Sequence, residues 1–171
     1  MSLWLAGNVP DDVHFTAKLP TKRMAADCLF TDQAGRLLVL EPPYKPTWDI
    51  PGGVVERDES PRLAAQREVR EELGLTVEPG DLLAVDWQSR AGEFTEMVAF
   101  LFDGGVLAPA DIDQIVIEPA EVTSFRFVTL DEAERLVDAE MFARVAAGLK
   151  ARGSAAAVYL ENGFPPRSNP A

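Results

Sequence analysis

The chain has 171 residues, 47% of them hydrophobic and 26% charged, proportions that fit one soluble globular domain with a substantial core. Sixteen basic residues stand against twenty-eight acidic ones, and the net charge of −12 argues against a nucleic-acid backbone or an anionic membrane as partner; an anionic small molecule would need metals and local arginines to bind. A single cysteine and a single histidine exclude an intrachain disulfide and a His-rich zinc site and disfavour a Ser-His-Asp triad, and no G-x-S-x-G elbow is present. The first 20 residues carry neither a basic n-region nor a long apolar run, so they do not read as a signal peptide. No stretch reaches membrane-spanning length, and a cytoplasmic location follows by default. Trp4, Leu5, Val13 and Phe15 can form an arm that packs on the domain or on a second subunit, which is where a homodimer would be sought. His14 reads as a surface residue of that arm.

Residues 22–31 read as a strand, 32–35 as a turn and 36–41 as the hairpin partner. Cys28 falls within the apolar strand pattern, which favours a buried structural thiol over a reactive one. Pro42, Pro43 and Pro46 stiffen the next loop, which carries Tyr44 and delivers Trp48 toward the segment that follows. These two aromatics can stack on a base or pack the loop against itself. Pro51-Gly52-Gly53 permits positive φ and close backbone approach, so a carbonyl or amide here can reach a metal or a phosphate. A helix over about 61–73 is framed by Ser60 as N-cap, Pro61 at its first position and Gly74 at its end. Ala65, Val69 and Leu73 form its apolar stripe, while Glu68, Glu71 and Glu72 share another face. Like charges at these offsets cost about a few tenths of a kcal/mol per pair, a penalty a cation reverses. Oxygen-only ligation suits Mg²⁺ or Mn²⁺ rather than Zn²⁺.

Gly53, five residues, Glu59, seven residues and then Arg67-Glu68-Val69-Arg70-Glu71-Glu72-Leu73-Gly74-Leu75 resemble the complete Nudix box, which covers 23 residues. The resemblance implies an α/β fold, an α/β/α sandwich around a mixed β-sheet. It also implies that Glu68 and Glu72 are principal Mg²⁺ or Mn²⁺ ligands, that Glu71 is a further ligand or holds metal-bound water, and that the Gly52 carbonyl is a backbone ligand. Arg67 would orient the acids, although at i,i+4 from Glu71 it also reads as an ordinary helix-surface ion pair. Glu59 would be an outer ligand or a loop-fixing acceptor, and Glu56 reads better as a solvated loop acid. The implied reaction is metal-assisted attack of water on a phosphoanhydride, in a nucleoside diphosphate joined to another moiety, with no protein nucleophile. A Nudix module that binds nucleotides as a sensor or scaffold is the alternative, and the intact set of acids favours the enzyme.

After the box, residues 75–77, 82–88 and 95–103 read as strands. In the loop between the last two, Arg90 can meet a phosphate and Phe94 a base or apolar tail, or both can belong to a solvated hairpin tip. Residues 103–117 look like an irregular crossover and 122–128 like a strand. In the family an acid from this neighbourhood completes the metal shell or serves as base; Glu121 is the first candidate and Glu118 the reserve, against simple surface charge. Thr129 caps a helix with Glu132 at the capping-box position, residues 139–152 form a second helix, and 154–160 a last strand or flap. The final ENGFPPRSNPA, residues 161–171, reads as a poorly ordered tail unless it docks. The box helix and the C-terminal helices belong on opposite sides of the sheet. Signatures of the family's ADP-ribose, dinucleoside-polyphosphate and coenzyme A subgroups are missing, so the substrate is a small-molecule nucleotide or other diphosphate without further definition.

Overall fold

The computed structural model describes residues 19–89, 92 and 95–166. The central strand is β1 (Arg23–Asp32), whose side chains are apolar on both faces: Ala26, Cys28 and Phe30 enter one core and Leu29 the other, all fully buried. Along one side it pairs in parallel with β5 (Met97–Leu107). On its other side it meets β3 (Gly52–Val54) over Ala25 to Asp27 and β2 (Leu37–Glu41) at Thr31, both antiparallel. With β4 (Leu82–Gln88), β6 (Ser124–Val128) and β7 (Val158–Glu161), the described strands make one mixed sheet in the order β6-β2-β1-β5-β4-β7, with β3 beside β1.

Helices cover both faces. Ala64, Ala65, Val69 and Leu73 of α1 (Pro61–Leu73) pack with Ala26, Cys28, Phe30 and the β2 residues Leu38 and Leu40. A short α2 (Pro109–Ile112) follows β5. On the opposite face, Ala133 of α3 (Leu130–Leu136) and Met141 and Val145 of α4 (Ala139–Ala151) pack with Leu29, Leu37, Val39 and Leu101. The result is the α/β/α sandwich around a mixed sheet.

Three stretches differ from their sequence reading. Residues 75–77 form no strand; Leu75 is buried and Val77 packs on the α1 core, so their alternation reflects packing without a neighbouring ladder. Strand β5 runs on to Leu107 where a crossover was expected, because the register shifts opposite Leu29 and Phe30 and accommodates Gly104 as a bulge. A Cβ at Gly104 would lie 2.6 Å from the Phe30 ring, so only glycine lets the strand pass. Residues 161–166, read as tail, begin within β7 and are tied to β4 and the segment after it. The Asn162 N–H donates to the Trp87 carbonyl at 2.8 Å, and Asn162 Oδ1 accepts from the Ser89 N–H at 2.8 Å.

Candidate active site

Helix α1 is held at both ends as its sequence demands. Ser60 Oγ accepts from the Leu63 N–H at 3.3 Å, and Gly74, at φ +69°, donates its N–H to the Arg70 carbonyl at 3.0 Å. So fixed, the helix presses its acids onto the junction of β1 and β3. Glu72 Oε2 accepts from the Gly52 N–H at 2.9 Å, and a Cβ at Gly53 would lie 2.5 Å from Glu68 Cδ. Gly52 itself adopts φ +152°, and a Cβ there would meet Asp27 Oδ1 at 2.5 Å. The two glycines therefore let three carboxylates close on one piece of backbone.

Arg67 ties the neighbouring acids together. Its Nε donates to Glu59 Oε1 at 3.0 Å and Nη2 to Glu59 Oε2 at 3.0 Å, while Nη1 reaches Glu68 Oε1 at 2.8 Å and Glu71 Oε2 at 2.9 Å. Nη2 also donates to the Val54 carbonyl at 3.0 Å, so the guanidinium clamps the loop between β3 and α1 as well as the helix. An ordinary surface ion pair would engage one carboxylate; this one engages three. Glu59 accepts in addition from the Glu56 N–H at 3.0 Å, and its carboxyl is held below the usual range mainly by the Arg67 hydrogen bonds. That is the geometry of a loop-fixing acceptor.

The electrostatics are unbalanced toward negative charge. Burial pushes the Glu72 carboxyl up to about 9 against the pull of the Gly52 N–H, with Glu68, Asp27 and Asp49 adding repulsion. Burial also raises Glu68, opposed by Arg67 and reinforced by Glu71 and Glu121. Asp27 rises to about 7, again through burial first, with Arg144 opposing and Asp49 adding to the shift. Asp49, raised mainly by burial, is paired to Lys45. Asp27 and Asp49 lie outside the motif and were missed from sequence; a charged residue inside the apolar run MAADCLF was the available signal for the first.

The NUDIX domain family matches residues 21–147. The chain belongs to this family. A MutT-like protein from Streptomyces ambofaciens is 36% identical over 109 residues, 61% of this chain and 62% of that protein. Diphosphoinositol polyphosphate phosphohydrolase 2 of Rattus norvegicus is 43% identical over 65 residues, 37% of this chain and 36% of that protein. The chain thus spans less than two thirds of the length of these curated relatives. The crystal structure of a MutT protein from Methanosarcina mazei Go1 shares the fold, with a TM-score of 0.62 at 24% identity over 79% of this chain and 96% of that one.

The residues of this Nudix domain fit a hard divalent cation. Glu68 and Glu72 offer oxygen only, they repel one another, and Glu72 has a lone N–H against its buried carboxylate. Among the described residues no three Asp, Glu, His or Cys side chains already converge on one point, so the acids would close by side-chain rotation. Cys28 is buried, and burial pushes its thiol up to about 12, which removes a thiolate from the donor set.

The other expected site residues divide. Glu121 lies near enough to Glu68 for its charge to raise that carboxyl, whereas Glu118 turns its Oε1 onto its own loop, accepting from the Ala120 N–H at 3.3 Å. Tyr44 is 76% exposed at the rim of the acids; partial burial and the charges of Asp49, Glu72 and Glu68 push its phenol up. Trp48 is a correction. It is 6% exposed, bridged through its backbone to Val137, and the Arg126 guanidinium sits 4.6 Å from its ring centroid, so it packs the core of the α4 face and has no free face for a base. Arg90 and Phe94 lie outside the described residues, as do Trp4, Leu5, Val13, His14 and Phe15. No helix among the described residues is long and apolar enough to cross a membrane.

Proposed function

We propose that this Nudix hydrolase is a metal-dependent pyrophosphohydrolase that cleaves a phosphoanhydride bond in a nucleoside diphosphate linked to another moiety, with Mg²⁺ or Mn²⁺ as cofactor. The observation that carries the reading is the pair Glu68 and Glu72, half-buried against Gly52 and Gly53: burial pushes both carboxyls up, with Glu71 and Glu121 adding repulsion at Glu68 and Glu68 adding it at Glu72, and a dication between them would relieve both. A bound dication would neutralise non-bridging phosphate oxygens and acidify a water. Glu68, Glu72 and the Gly52 carbonyl would hold it, and Glu71 would be a further ligand or orient metal-bound water. Arg67 would position Glu68 and Glu71 through the bonds described above. Glu121, beside Glu68, would accept the proton of the attacking water or complete the outer shell. Tyr44, exposed at the rim, would stack on a base, and Arg90 and Phe94 would contact phosphate and base or tail.

The net charge of −12 weighs toward substrates of modest negative charge rather than the diphosphoinositol polyphosphates named for the rat relative. The test is a panel of nucleoside diphosphate derivatives and one diphosphoinositol polyphosphate, with Mg²⁺ and with Mn²⁺, read by product identification. Cleavage at a phosphoanhydride that collapses in Glu68→Gln and Glu72→Gln is the expected result. Turnover unchanged in both variants would overturn the site, and nucleotide binding without cleavage of any member would favour a sensor.

A further inference from the structure

Asp27 of β1 and Gly52 of β3 face each other across an antiparallel ladder. Their neighbours carry the bonds: the Cys28 N–H donates to the Pro51 carbonyl at 2.7 Å, and the Val55 N–H donates to the Met24 carbonyl at 2.9 Å. Bonded and unbonded pairs alternate in such a ladder, so Gly52 takes no bond from β1 and turns its N–H and carbonyl to the other edge. The N–H goes to Glu72 Oε2 at 2.9 Å, and the carbonyl leaves on the same edge, as a backbone ligand for a cation would have to. A peptide held by one hydrogen bond, on a residue with no Cβ to restrict φ, has wide freedom to turn.

A side chain from β1 limits that freedom. Asp27 is 6% exposed and lies over the Gly52 Cα: a Cβ built there would be 2.5 Å from Asp27 Oδ1, so the hydrogen in that place points at the carboxylate. Oδ1 makes no hydrogen bond among the described residues, while Oδ2 lies 3.5 Å from Arg144 Nη2. Arg144 is fixed in turn by Asp86, whose other oxygen accepts from the Gly163 N–H at 2.9 Å. Asp27 thus stands on buried partners with its unbonded oxygen against the glycine; its charge answers Arg144 and its shape covers Gly52. We propose, on the metal-dependent reading above, that Asp27 is a positioning residue of the metal site, holding the Gly52 peptide so that its N–H meets Glu72 and its carbonyl meets the dication. Asp27 acts through Gly52 and touches neither metal nor substrate. The two glycines are then braced from opposite faces of the sheet, Gly53 by Glu68 on the α1 side and Gly52 by Asp27 on the α4 side, so a cation that draws Glu68 and Glu72 together leaves the backbone in place.

Amide hydrogen exchange by NMR, on the full chain in chelator, follows the Gly52 N–H without any metal present. The Leu40 N–H, bonded to the Asp49 carbonyl at 2.8 Å, serves as the internal standard for overall stability. Relative to Leu40, Gly52 should exchange at least about tenfold faster in Asp27→Ala, whereas Asp27→Asn, which keeps the shape, should stay within about threefold of wild type. Titration with Mn²⁺ followed by electron paramagnetic resonance should show affinity falling about tenfold in Asp27→Ala and no more than about threefold in Asp27→Asn. Asp27→Ser takes the place of Asp27→Ala if the alanine variant does not fold. A merely structural role would lower the melting temperature of Asp27→Ala and leave exchange ratio and Mn²⁺ affinity unchanged, which overturns the proposal. Equal losses in Asp27→Ala and Asp27→Asn overturn it too, because charge and not position would then be at work. Mn²⁺ binding that is lost in Glu72→Gln but intact in Asp27→Ala overturns the positioning role and leaves the metal reading standing. A wild type that binds no Mn²⁺ up to about 5 mM overturns both.

Discussion

Arg67 and Arg144 each gather carboxylates, on opposite faces of the sheet, and differ in what they leave over. Arg144, 3% exposed on α4, donates from Nη1 to Asp86 Oδ2 at 2.9 Å and lies 3.5 Å from Asp27 Oδ2, with the second oxygen of Asp86 taken by the Gly163 N–H. Asp86 is thereby satisfied on both oxygens although it is fully buried. Arg67 serves Glu59, Glu68 and Glu71 and does not reach Glu72, whose protein donor is a single backbone N–H. On the α4 face Asp86 is matched on both oxygens, although Arg144 Nε is buried without an acceptor; beside Gly52 and Gly53 negative charge is left in surplus, and that surplus is what a dication would neutralise.

The contrast is broken most directly at Arg144. Arg144→Met strands Asp86 in the core and should cost about 3–5 kcal/mol of unfolding free energy by urea titration. A loss under about 1 kcal/mol would mean that the two clusters do not differ in kind. Glu72→Gln should act in the opposite sense. It should lower kcat by about 10²–10³ while raising the stability of the metal-free protein at pH 8, because it deletes a repelled carboxylate. The sign follows from the titration. Glu72 titrates near 9 when folded against an ordinary 4.5, so its contribution is full below about 4.5 and is lost as pH climbs through 9. Asp27, near 7 against an ordinary 3.8, adds in the same direction over a lower window. Thermal melts in chelator should therefore show the wild type weakening from pH 5 to 9 and Glu72→Gln weakening less. Saturating Mn²⁺ should raise the wild-type midpoint more at pH 8 than at pH 5, since metal and proton compete for the same oxygens. A flat profile for the wild type would remove the surplus charge on which the site rests.

Local sequence made the helix of this site legible, and long-range pairing hid its partners. Ser60, Pro61 and Gly74 frame α1 from within fifteen residues, and the observed bounds Pro61–Leu73 match that frame. The capping box of Thr129 and Glu132 was as plain, with the Thr129 N–H donating to Glu132 Oε2 at 2.8 Å. Asp27 acquires its meaning only when β3 pairs with β1 and puts it opposite Gly52, a contact no local pattern announces. Trp48 misled for the converse reason. Three residues from Pro51 in sequence, it is drawn away by its bridge to Val137, so nearness along the chain did not become nearness to the acids. The strand was read as ending at Asp103 because Gly104-Gly105 interrupts its apolar pattern, and only the Phe30 ring across the ladder shows that the glycines make a bulge within it.

Two smaller effects sharpen the comparison at the Arg67 side. Arg67→Lys keeps the charge and loses the fork, and it should lower kcat about 10–100-fold with little change in KM if the arginine positions Glu68 and Glu71 rather than merely offsetting them. Full activity in the lysine variant would reduce Arg67 to a counter-ion. Tyr44→Ala should have the least effect, a rise in KM of about threefold to tenfold with kcat unchanged, the size expected when an exposed ring stops stacking on a substrate already held by its phosphates. Trp48→Phe is the matched control: buried beneath Arg126, it should alter the melting temperature and leave KM alone. If KM instead follows Trp48 and ignores Tyr44, the substrate enters from the α4 side of the Pro42-Pro43 loop and the acids of α1 meet it from the opposite end.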